Sequence, residues 1–329
     1  MANTTALALL SGGLDSILAT KLILEQGIDV VAFNVTSPFC LCKKGGCGAV
    51  EAANQLGVKL KVVYAGLEYL RIVRKPKHGY GRNMNPCIDC RIFLFKKAKK
   101  IAKELGASFI FTGEVLDERP MSQHYPALKL IEEEAGLKGK ILRPLSAMLL
   151  PETEIEKKGL VDRAKLLEIR GRSRKPQIKL AAEFNIKDYP CPAGGCLLTD
   201  KEFANRLCDL FEHRKRCSLV DVNLLKVGRH FRLGQNKIIV GRNEAENKVL
   251  LAKKTRNDFS FEAPDIAGPI TILQGSKTKR AVKLAAALTA FYSDAKTQSV
   301  TVNYGREKLD KSLAVNVPSR TEVDNFRIT

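Results

Sequence analysis

The amino-acid sequence predicts an α/β protein, in which a parallel β-sheet with crossover helices is followed by a smaller, basic α+β domain. Over the first ~200 residues, short apolar runs alternate with amphipathic segments, which is the pattern of strands joined by crossover helices. Beyond Thr199 the sequence changes to basic, β-branched runs separated by Gly and Asn turns. We therefore expect two domains, residues 1–205 and 206–329.

Hydrophobic periodicity predicts four strands and four helices in the first domain. A glycine follows each helix, where a left-handed C-cap favours a residue without a Cβ atom. The strands are Ala6–Leu10, Val30–Val35, Leu60–Tyr64 and Phe109–Thr112; the helices are Asp15–Gln26, Ala49–Gln55, Ile92–Leu105 and Gln123–Glu134; the glycines are Gly27, Gly57, Gly106 and Gly136. In the second domain the strand-like runs are Lys237–Val240, Lys248–Leu251 and Pro269–Leu273, and an apolar helix is predicted over Lys279–Tyr292.

The charge of the chain points to a polyanionic partner. There are 55 Lys and Arg residues against 35 Asp and Glu residues, which gives a formal net charge of +20. An excess of this size favours nucleic acid as the partner, with a solvated basic surface as the alternative. The longest apolar runs, such as Ala6–Leu10 and Ile92–Phe95, are far shorter than the ~20 residues that span a bilayer. Because the N-terminus also lacks the pattern of a secretory signal peptide, we expect a cytoplasmic protein without a membrane segment.

A nucleotide-binding loop is predicted between the first strand and the first helix. The sequence there reads S-G-G-L-D-S, from Ser11 to Ser16. Gly12 and Gly13 let the backbone approach phosphate oxygens, and the N–H groups and dipole of the following helix favour an anion. The hydroxyls of Ser11 and Ser16 add donors, and Asp15 is suited to bind Mg²⁺ or to position a nucleophile. A plain strand–turn–helix cap is the alternative.

This segment resembles the signature S-G-G-x-D-S of the PP-loop ATP pyrophosphatase superfamily. The resemblance implies a Rossmann-like parallel sheet that binds ATP with Mg²⁺ and splits it between the α and β phosphates. An enzyme of this kind adenylates a carbonyl or carboxylate oxygen, and a nucleophile then displaces AMP. The loop lacks the Walker A pattern G-x-x-x-x-G-K-[ST], so transfer of the γ-phosphate is not expected.

Nine cysteines in a chain without a secretion signal point to metal or sulfur chemistry rather than to a disulfide framework. Cys87 and Cys90 form a C-x-x-C pair before a basic amphipathic helix, and Cys196 follows two glycines about a hundred residues later. If these three thiolates converge, one iron of a cubane cluster has no protein ligand and remains open to an exogenous sulfide. A structural zinc site, which needs four closed ligands, and a redox-active cysteine pair are the alternatives.

Three further segments resemble the tRNA uridine thiolases of this superfamily. They read M-N-P-C-x-x-C at Met84–Cys90, T-G-E-V-L-x-x-R-P-M-S-Q at Thr112–Gln123, and P-A-G-G-C-L-L-T at Pro192–Thr199. In iron–sulfur members of that group a cysteine pair and a later third cysteine hold a 4Fe–4S cluster. The resemblance therefore implies Cys87, Cys90 and Cys196 as cluster ligands here. Cys191 competes for the third place, and we expect it to be non-essential.

A second group of cysteines, Cys40, Cys42 and Cys47, follows the second strand. Three roles are open to this group from the sequence: a zinc site with a fourth ligand from elsewhere, a relay of persulfide sulfur, or an ordinary loop. Its position in the sequence suggests a cluster separate from the other cysteines.

The C-terminal domain resembles the RNA-binding domain of the NFACT ribosome-associated proteins, most clearly in G-R-N-x-x-x-N at Gly241–Asn247. Cations there surround Phe231, which suits contact with phosphates together with stacking on a base or sugar. A solvated side of a small β domain, with Phe231 in its core, is the alternative. A dense positive run at residues 170–175 of the first domain is a candidate clamp for a tRNA backbone. The predicted RNA-binding residues are Arg172, Arg174, Lys175, Arg229, Arg232, Arg242, Lys279 and Arg280.

Together these features predict an ATP-dependent tRNA sulfurtransferase. The resemblance to the uridine thiolases implies that ATP with Mg²⁺ adenylates a uridine carbonyl in tRNA and that hydrosulfide held by the cluster then replaces the oxygen without net redox change. Thr112, Gly113 and Glu114 end a strand at the carboxyl edge of the sheet, so we expect them to line the ATP or uridine pocket. The predicted catalytic residues are Asp15, Cys87, Cys90 and Cys196.

The resemblance favours 4-thiouridine at tRNA position 8 over 2-thiouridine at position 34. Besides tRNA, the expected partners are a sulfide or persulfide donor, such as a cysteine desulfurase, and a second copy of the chain in a homodimer. Two alternative functions are compatible with part of these observations. One is a PP-loop ligase that acts on a small molecule, and the other is an RNA- or ribosome-binding factor whose nucleotide loop is vestigial.

Overall fold

A computed structural model describes residues 4–41, 48–187, 189 and 196–329. The chain forms two compact units, Met1–Thr199 and Asp200–Thr329. Their boundary lies a few residues before the predicted one, because the carboxylate of Asp200 caps the first helix of the second unit. Cys42, Cys47 and Cys191 lie outside the described residues.

The first unit contains every strand and helix predicted for it, and the helix predicted from Ile92 begins earlier, at Cys87. Its C-cap, Gly106, has the left-handed conformation expected of a glycine there. The strands are β1 (Thr5–Leu9), β2 (Asp29–Thr36), β3 (Lys59–Tyr64), β4 (Phe109–Thr112) and β5 (Ile141–Leu142). The helices are α1 (Leu14–Leu24), α2 (Gly48–Leu56), α3 (Leu67–Arg74), α4 (Cys87–Leu105), α5 (Tyr125–Ala135), α6 (Glu154–Lys157) and α7 (Lys175–Glu183).

All the paired strands of this unit are parallel, in the order β3-β2-β1-β4-β5. The predicted Rossmann-like α/β fold is therefore confirmed. Alternate residues of β1 point to opposite faces: Ala8 packs with α1, and Leu7 packs with α4 and α5. From β1 the chain runs outward to β2 and β3 and later, in the other direction, to β4 and β5. Such a reversal leaves a crevice at the carboxyl ends of β1 and β4, where open α/β sheets bind ligands.

The second unit is built on a six-stranded sheet in the order β11-β10-β8-β9-β7-β6, with neighbouring strands antiparallel. One long helix, α11, packs on a face of this sheet and buries Ala281, Ala285 and Leu288. The strands are β6 (Arg229–Leu233), β7 (Asn236–Val240), β8 (Phe259–Glu262), β9 (Thr271–Gln274), β10 (Ser299–Gly305) and β11 (Lys311–Asn316). The helices are α8 (Lys201–His213), α9 (Leu219–Leu224), α10 (Glu244–Lys253), α11 (Lys279–Phe291) and α12 (Arg320–Asp324).

The prediction of a strand-like run at Lys248–Leu251 is wrong, because these residues lie in α10. The side chain of Asn243 accepts a hydrogen bond from the backbone N–H of Glu246 and so caps the helix. Glu244 and Glu246 also place negative charge in the first turn, where the helix dipole favours it. These start signals outweigh the short apolar run that follows. None of the helices in the described part of the chain has the length and apolarity to cross a membrane.

Candidate functional site

The predicted nucleotide loop joins β1 to α1, and hydrogen bonds of its two serines fix its conformation. The Ser16 hydroxyl donates to the carbonyl of Gly13 at 2.8 Å, and the Ser11 N–H donates to the Ser16 hydroxyl at 3.2 Å. Gly12 has φ +82°, and a Cβ atom there would lie 2.3 Å from the carbonyl carbon of Gly48 in α2. Gly13 caps α1 without a side chain, which leaves the start of the helix open to an anion.

The end of β4 packs directly against this loop. A Cβ atom on Gly113 would lie 2.5 Å from the backbone of Asp15, so this close approach requires glycine. Thr112 and Gly113 line the same cavity as Ser11 and Asp15. The sheet topology thus brings together two segments that are about a hundred residues apart in the sequence.

Glu114 also lines this cavity, but its carboxylate is buried and ion-paired. One oxygen lies 3.1 Å from Nε of Arg143 and the other lies 3.3 Å from Nε of Arg91. Arg91 itself lines the cavity. Glu114 therefore positions a cavity cation, Arg91, which the sequence interpretation had not singled out.

The carboxylate of Asp15 lies between a positive and a negative neighbour. Arg174 is 3.3 Å from Oδ2 of Asp15 and also pairs with Glu118. Burial, and next the charge of Glu118, raise the pKa of Asp15 to about 6, against the opposing effect of Arg174. Oδ1 of Asp15 is buried and has no hydrogen-bond partner among the described residues. An orphaned carboxylate oxygen beside a phosphate-type loop fits a Mg²⁺ ligand.

The same contacts place Arg174 at the nucleotide loop, although the sequence suggested an RNA clamp over this run. Its guanidinium is mostly covered and paired with two carboxylates, whereas Arg172 and Lys175 are exposed. Among these three predicted RNA contacts, only Arg172 and Lys175 present open cations at the surface.

Three of the predicted cluster ligands line the same cavity as the nucleotide loop. Cys87 and Cys90 lie one turn apart at the start of α4, where the N–H of Cys90 donates to the carbonyl of Pro86 at 2.8 Å. Cys196 is brought to them by backbone hydrogen bonds of the residues that follow it. The N–H of Leu197 donates to Phe39 at 2.9 Å, and the carbonyl of Leu198 accepts from Met84 at 3.1 Å. Cys87, Cys90 and Cys196 thus line the same cavity and are close enough for their charges to act on one another.

Cys40 lies directly opposite Cys196 in an isolated antiparallel bridge. Its sulfur accepts a hydrogen bond from the N–H of Ser37 at 3.2 Å. Cys40 is therefore not remote from the other cysteines as expected, because the hydrogen bonds around Leu197 bring the 196–199 segment to it. The other members of that predicted group, Cys42 and Cys47, lie outside the described residues.

Burial dominates the electrostatics of these thiols. It raises the pKa of Cys87 and Cys90, and it raises the pKa of Cys196 to about 12. Tyr69, which is itself buried against Phe39, lies within hydrogen-bond reach of Cys90. Gathered buried thiols of this kind favour a positively charged group that stabilises their thiolates.

The arrangement of the thiols distinguishes between a single metal ion and an iron–sulfur cluster. Among the described residues, no three His, Cys, Asp or Glu side chains are grouped so that they could hold a single metal ion. An iron–sulfur cluster binds each thiolate at a different iron, so its ligands surround a larger body than one ion. The three neighbouring thiols that line this cavity fit the donor chemistry of such a cluster.

Arg119 is a further cavity residue to which the sequence interpretation assigned no role. It lines the cavity within electrostatic range of both Asp15 and Cys87. The residue as a whole is exposed, but burial of its guanidinium lowers the pKa of Arg119, which takes part in no ion pair among the described residues. It stands in the T-G-E-V-L-x-x-R segment, which was the only signal that sequence reasoning had for it.

In the second unit, internal contacts occupy several predicted RNA-binding residues. Arg232 forms two hydrogen bonds to Asp209, at 2.7 and 2.5 Å, and Arg242 pairs with Glu246. The guanidinium of Arg229 lies 4.4 Å from the ring centre of Tyr292. Phe231 is fully buried, as the alternative interpretation expected, and so does not stack on RNA. Lys279 and Arg280 are exposed in the first turn of α11.

Comparison with known proteins identifies related families for both units. The family model described as thiamine biosynthesis protein (ThiI) matches residues 1–181, and the model of the NFACT protein RNA binding domain matches residues 228–327. A tRNA-specific 2-thiouridylase MnmA of Clostridium acetobutylicum is 31% identical over 32% of the chain, and a probable tRNA sulfurtransferase of Methanothermobacter thermautotrophicus is 32% identical over 45%. These matches cover only 34% and 38% of the two relatives.

A solved structure of a 4-thiouridine synthetase–RNA complex with bound ATP is 23% identical, with a TM-score of 0.35, and the match covers 64% of this chain and 51% of that one. The family models are the decisive comparison, because the first of them spans more than half of the chain. The chain therefore belongs to the ThiI family and carries, after its PP-loop unit, a region that matches the NFACT RNA-binding domain.

Proposed function

We propose that this protein is an ATP-dependent tRNA sulfurtransferase that converts a uridine of tRNA to thiouridine. One observation carries the proposal: the nucleotide loop and the thiols of Cys87, Cys90 and Cys196 line a single cavity at the carboxyl ends of β1 and β4. Activation by ATP and replacement by sulfur must act on the same carbon, so both sets of groups are needed in one place. Membership of the ThiI family and the names of the two relatives support the same reaction class.

The reaction balances without an oxidant or a reductant. The uridine carbonyl oxygen attacks the α-phosphorus of ATP, and pyrophosphate leaves. Hydrosulfide then adds to the same carbon, and the C–O bond breaks with release of AMP and a proton. Oxygen leaves as part of AMP, and sulfur takes its place.

The chain's own residues supply binding and charge for the first half of this reaction. The open start of α1 and the hydroxyls of Ser11 and Ser16 hold phosphate oxygens. Asp15, whose buried Oδ1 has no hydrogen-bond partner among the described residues, would hold the Mg²⁺ that accompanies ATP. The unpaired guanidinium of Arg119 stabilises negative charge that moves onto the phosphates as pyrophosphate leaves.

The cavity cysteines serve the second half of the reaction, the replacement of oxygen by sulfur. Cys87, Cys90 and Cys196 would hold a 4Fe–4S cluster, and a cluster with three protein ligands supplies one iron at which sulfide can bind. Tyr69 packs against the thiols and keeps water from that side of the cavity. Cys191, the competing third ligand, lies outside the described residues.

We further propose 4-thiouridine at position 8 as the product, with a sulfide or persulfide donor such as a cysteine desulfurase. This choice rests on the T-G-E-V-L and G-G-C-L-L segments. The relatives include both a sulfurtransferase and a 2-thiouridylase, so the product needs a direct measurement. Nucleoside mass spectrometry of tRNA treated with the enzyme, ATP and sulfide separates the two thiouridines and their positions.

Two measurements test the whole proposal. Pyrophosphate release that depends on added tRNA is expected of the thiolase; a small-molecule ligase would not need tRNA, and a vestigial loop would release none. Protein purified without oxygen is expected to hold about four iron atoms per chain with matching sulfide. Cys196→Ala should lose this iron, while Cys208→Ala, which changes an exposed thiol of the second unit, should keep it. Zinc without sulfide would overturn the cluster and favour persulfide transfer through a cysteine pair.

A further inference from the structure

Three cations surround one aromatic ring in the second unit. Nζ of Lys277, the guanidinium of Arg306 and Nζ of Lys311 lie 5.8, 5.7 and 5.8 Å from the ring centre of Phe259. They come from three segments: the turn before α11, the turn after β10 and the start of β11. The fold, and not a run of basic sequence, therefore assembles this cluster.

Packing of the aromatic rings and a backbone hydrogen bond hold this cluster in place. Tyr304 stacks on the buried ring of Phe261 at 5.3 Å and contacts Phe259 at 5.8 Å, so the aromatic base is anchored in the core. Lys277 has φ +55°, a strained conformation for a residue with a side chain. Its N–H donates to Oδ1 of Asn236 at 2.6 Å, which holds the backbone in that conformation.

The three cations lack acidic partners. None of them forms an ion pair with a carboxylate of the described residues, whereas Arg232 and Arg242 do. Like charges that gather without counter-charges repel one another, and a polyanion relieves that repulsion. Arg306 and Lys311 are also exposed and Phe259 is half-buried, so a ligand can reach the group.

We propose that Lys277, Arg306 and Lys311, gathered around Phe259, form the site at which this unit binds the phosphate backbone of tRNA. The choice of tRNA rests on the proposed function, while the choice of an RNA backbone rests on the unpaired cations and their aromatic base. The arginines that the sequence suggested, Arg232 and Arg242, serve internal pairs instead.

The test measures binding of a fluorescent tRNA transcript to the full-length protein across a range of salt concentrations, without ATP. The variant combines Lys277→Gln, Arg306→Gln and Lys311→Gln. Loss of three phosphate contacts is expected to weaken binding roughly 10- to 100-fold near 0.15 M salt and to reduce the slope of log K against log salt by about two. Thermal unfolding of the same variant checks that the fold is intact.

The matched control removes two lysines and one arginine that are exposed and unpaired elsewhere in the same unit: Lys201→Gln, Arg216→Gln and Lys296→Gln. It should bind tRNA within about twofold of the unchanged protein. Equal losses in both variants would mean diffuse charge attraction, and no loss in the first variant would exclude the site; either result overturns the inference. Because binding is measured without catalysis, a protein that binds tRNA here but does not thiolate it would contradict the proposed function alone.

Discussion

The guanidinium of Arg174 lies 3.3 Å from the carboxylate of Asp15. It joins a residue ahead of α7 to the first turn of α1, and it lies in a run that the sequence had suggested as an RNA clamp. The pair makes Arg174 part of the proposed nucleotide site. This reassignment leads to the first prediction.

Arg174→Gln is expected to weaken binding of Mg–ATP by about 10-fold and to leave tRNA binding unchanged, because the uncompensated charge of Glu118 then favours protonated Asp15. Arg172→Gln is the matched control, since Arg172 is exposed two residues away. Titration of both variants with ATP and, separately, with tRNA checks this. A loss of tRNA affinity in both, with normal ATP binding, would restore the RNA clamp.

The raised pKa of Asp15 predicts a pH-dependent stability in the ligand-free protein. The folded-state pKa of about 6 exceeds the ordinary value of 3.8, so the protonated form stabilises the fold. This stabilisation is fully present below pH 3.8 and is lost as the pH rises through 6, which amounts to at most about 3 kcal/mol. Asp15→Asn should therefore raise the melting temperature at pH 7.5.

The same variant carries an internal control. Near pH 3 Asp15 is protonated in both the folded and the unfolded protein, so Asp15→Asn should melt within about a degree of the unchanged protein. Thermal unfolding at the two pH values, without Mg²⁺ or ATP, provides the comparison. A variant that is less stable at pH 7.5 would show that the carboxylate contributes favourably to the fold.

Arg119→Gln is expected to lower tRNA-dependent pyrophosphate release by about 100-fold, because the cavity loses a positive charge within electrostatic range of Asp15 and Cys87, where negative charge develops. Arg82→Gln, which changes an exposed arginine ahead of α4, should react at the normal rate. Rates at saturating ATP and tRNA separate this effect from weaker binding. A normal rate with a raised KM for tRNA would instead make Arg119 a contact for the RNA.

Gly12→Ala is expected to abolish ATP binding and to destabilise the protein by at least about 2 kcal/mol, because its Cβ atom would meet the backbone of Gly48 at 2.3 Å. Gly27→Ala is matched to it, with φ +73° and nothing within 4 Å of the added carbon. That control should cost only about 1 kcal/mol and bind ATP normally. Denaturant unfolding and ATP titration measure both. Equal losses would assign the effect of Gly12 to backbone strain alone.

Local patterns predicted much of the first unit, including the end of β4 at Thr112 and the C-cap at Gly106. Parallel strands buried on both faces read as apolar runs, and glycine after a helix is a strong local signal. The run at Lys248–Leu251 was misread because its apolar residues lie on a helix whose start is marked upstream, at Asn243. A local signal, the cap at Asn243, thus also determined that α10 is a helix, but this residue lies outside the run on which the strand prediction was based.

By itself the sequence predicted the α/β fold, the S-G-G-L-D-S loop and the C-x-x-C pair of Cys87 and Cys90, because each depends on residues close together in the chain, whereas Cys196 was named as a ligand only by resemblance to a family. Only the tertiary structure decided that Cys40 faces Cys196 and that Arg174 pairs with Asp15. The tertiary structure also decided that Arg232 forms an ion pair with Asp209. Lys277, Arg306 and Lys311, in contrast, have no carboxylate partners among the described residues. The reason is physical: whether a charge or a thiol is available for chemistry depends on the neighbours that folding brings from distant segments, and those neighbours leave no periodic trace in the sequence.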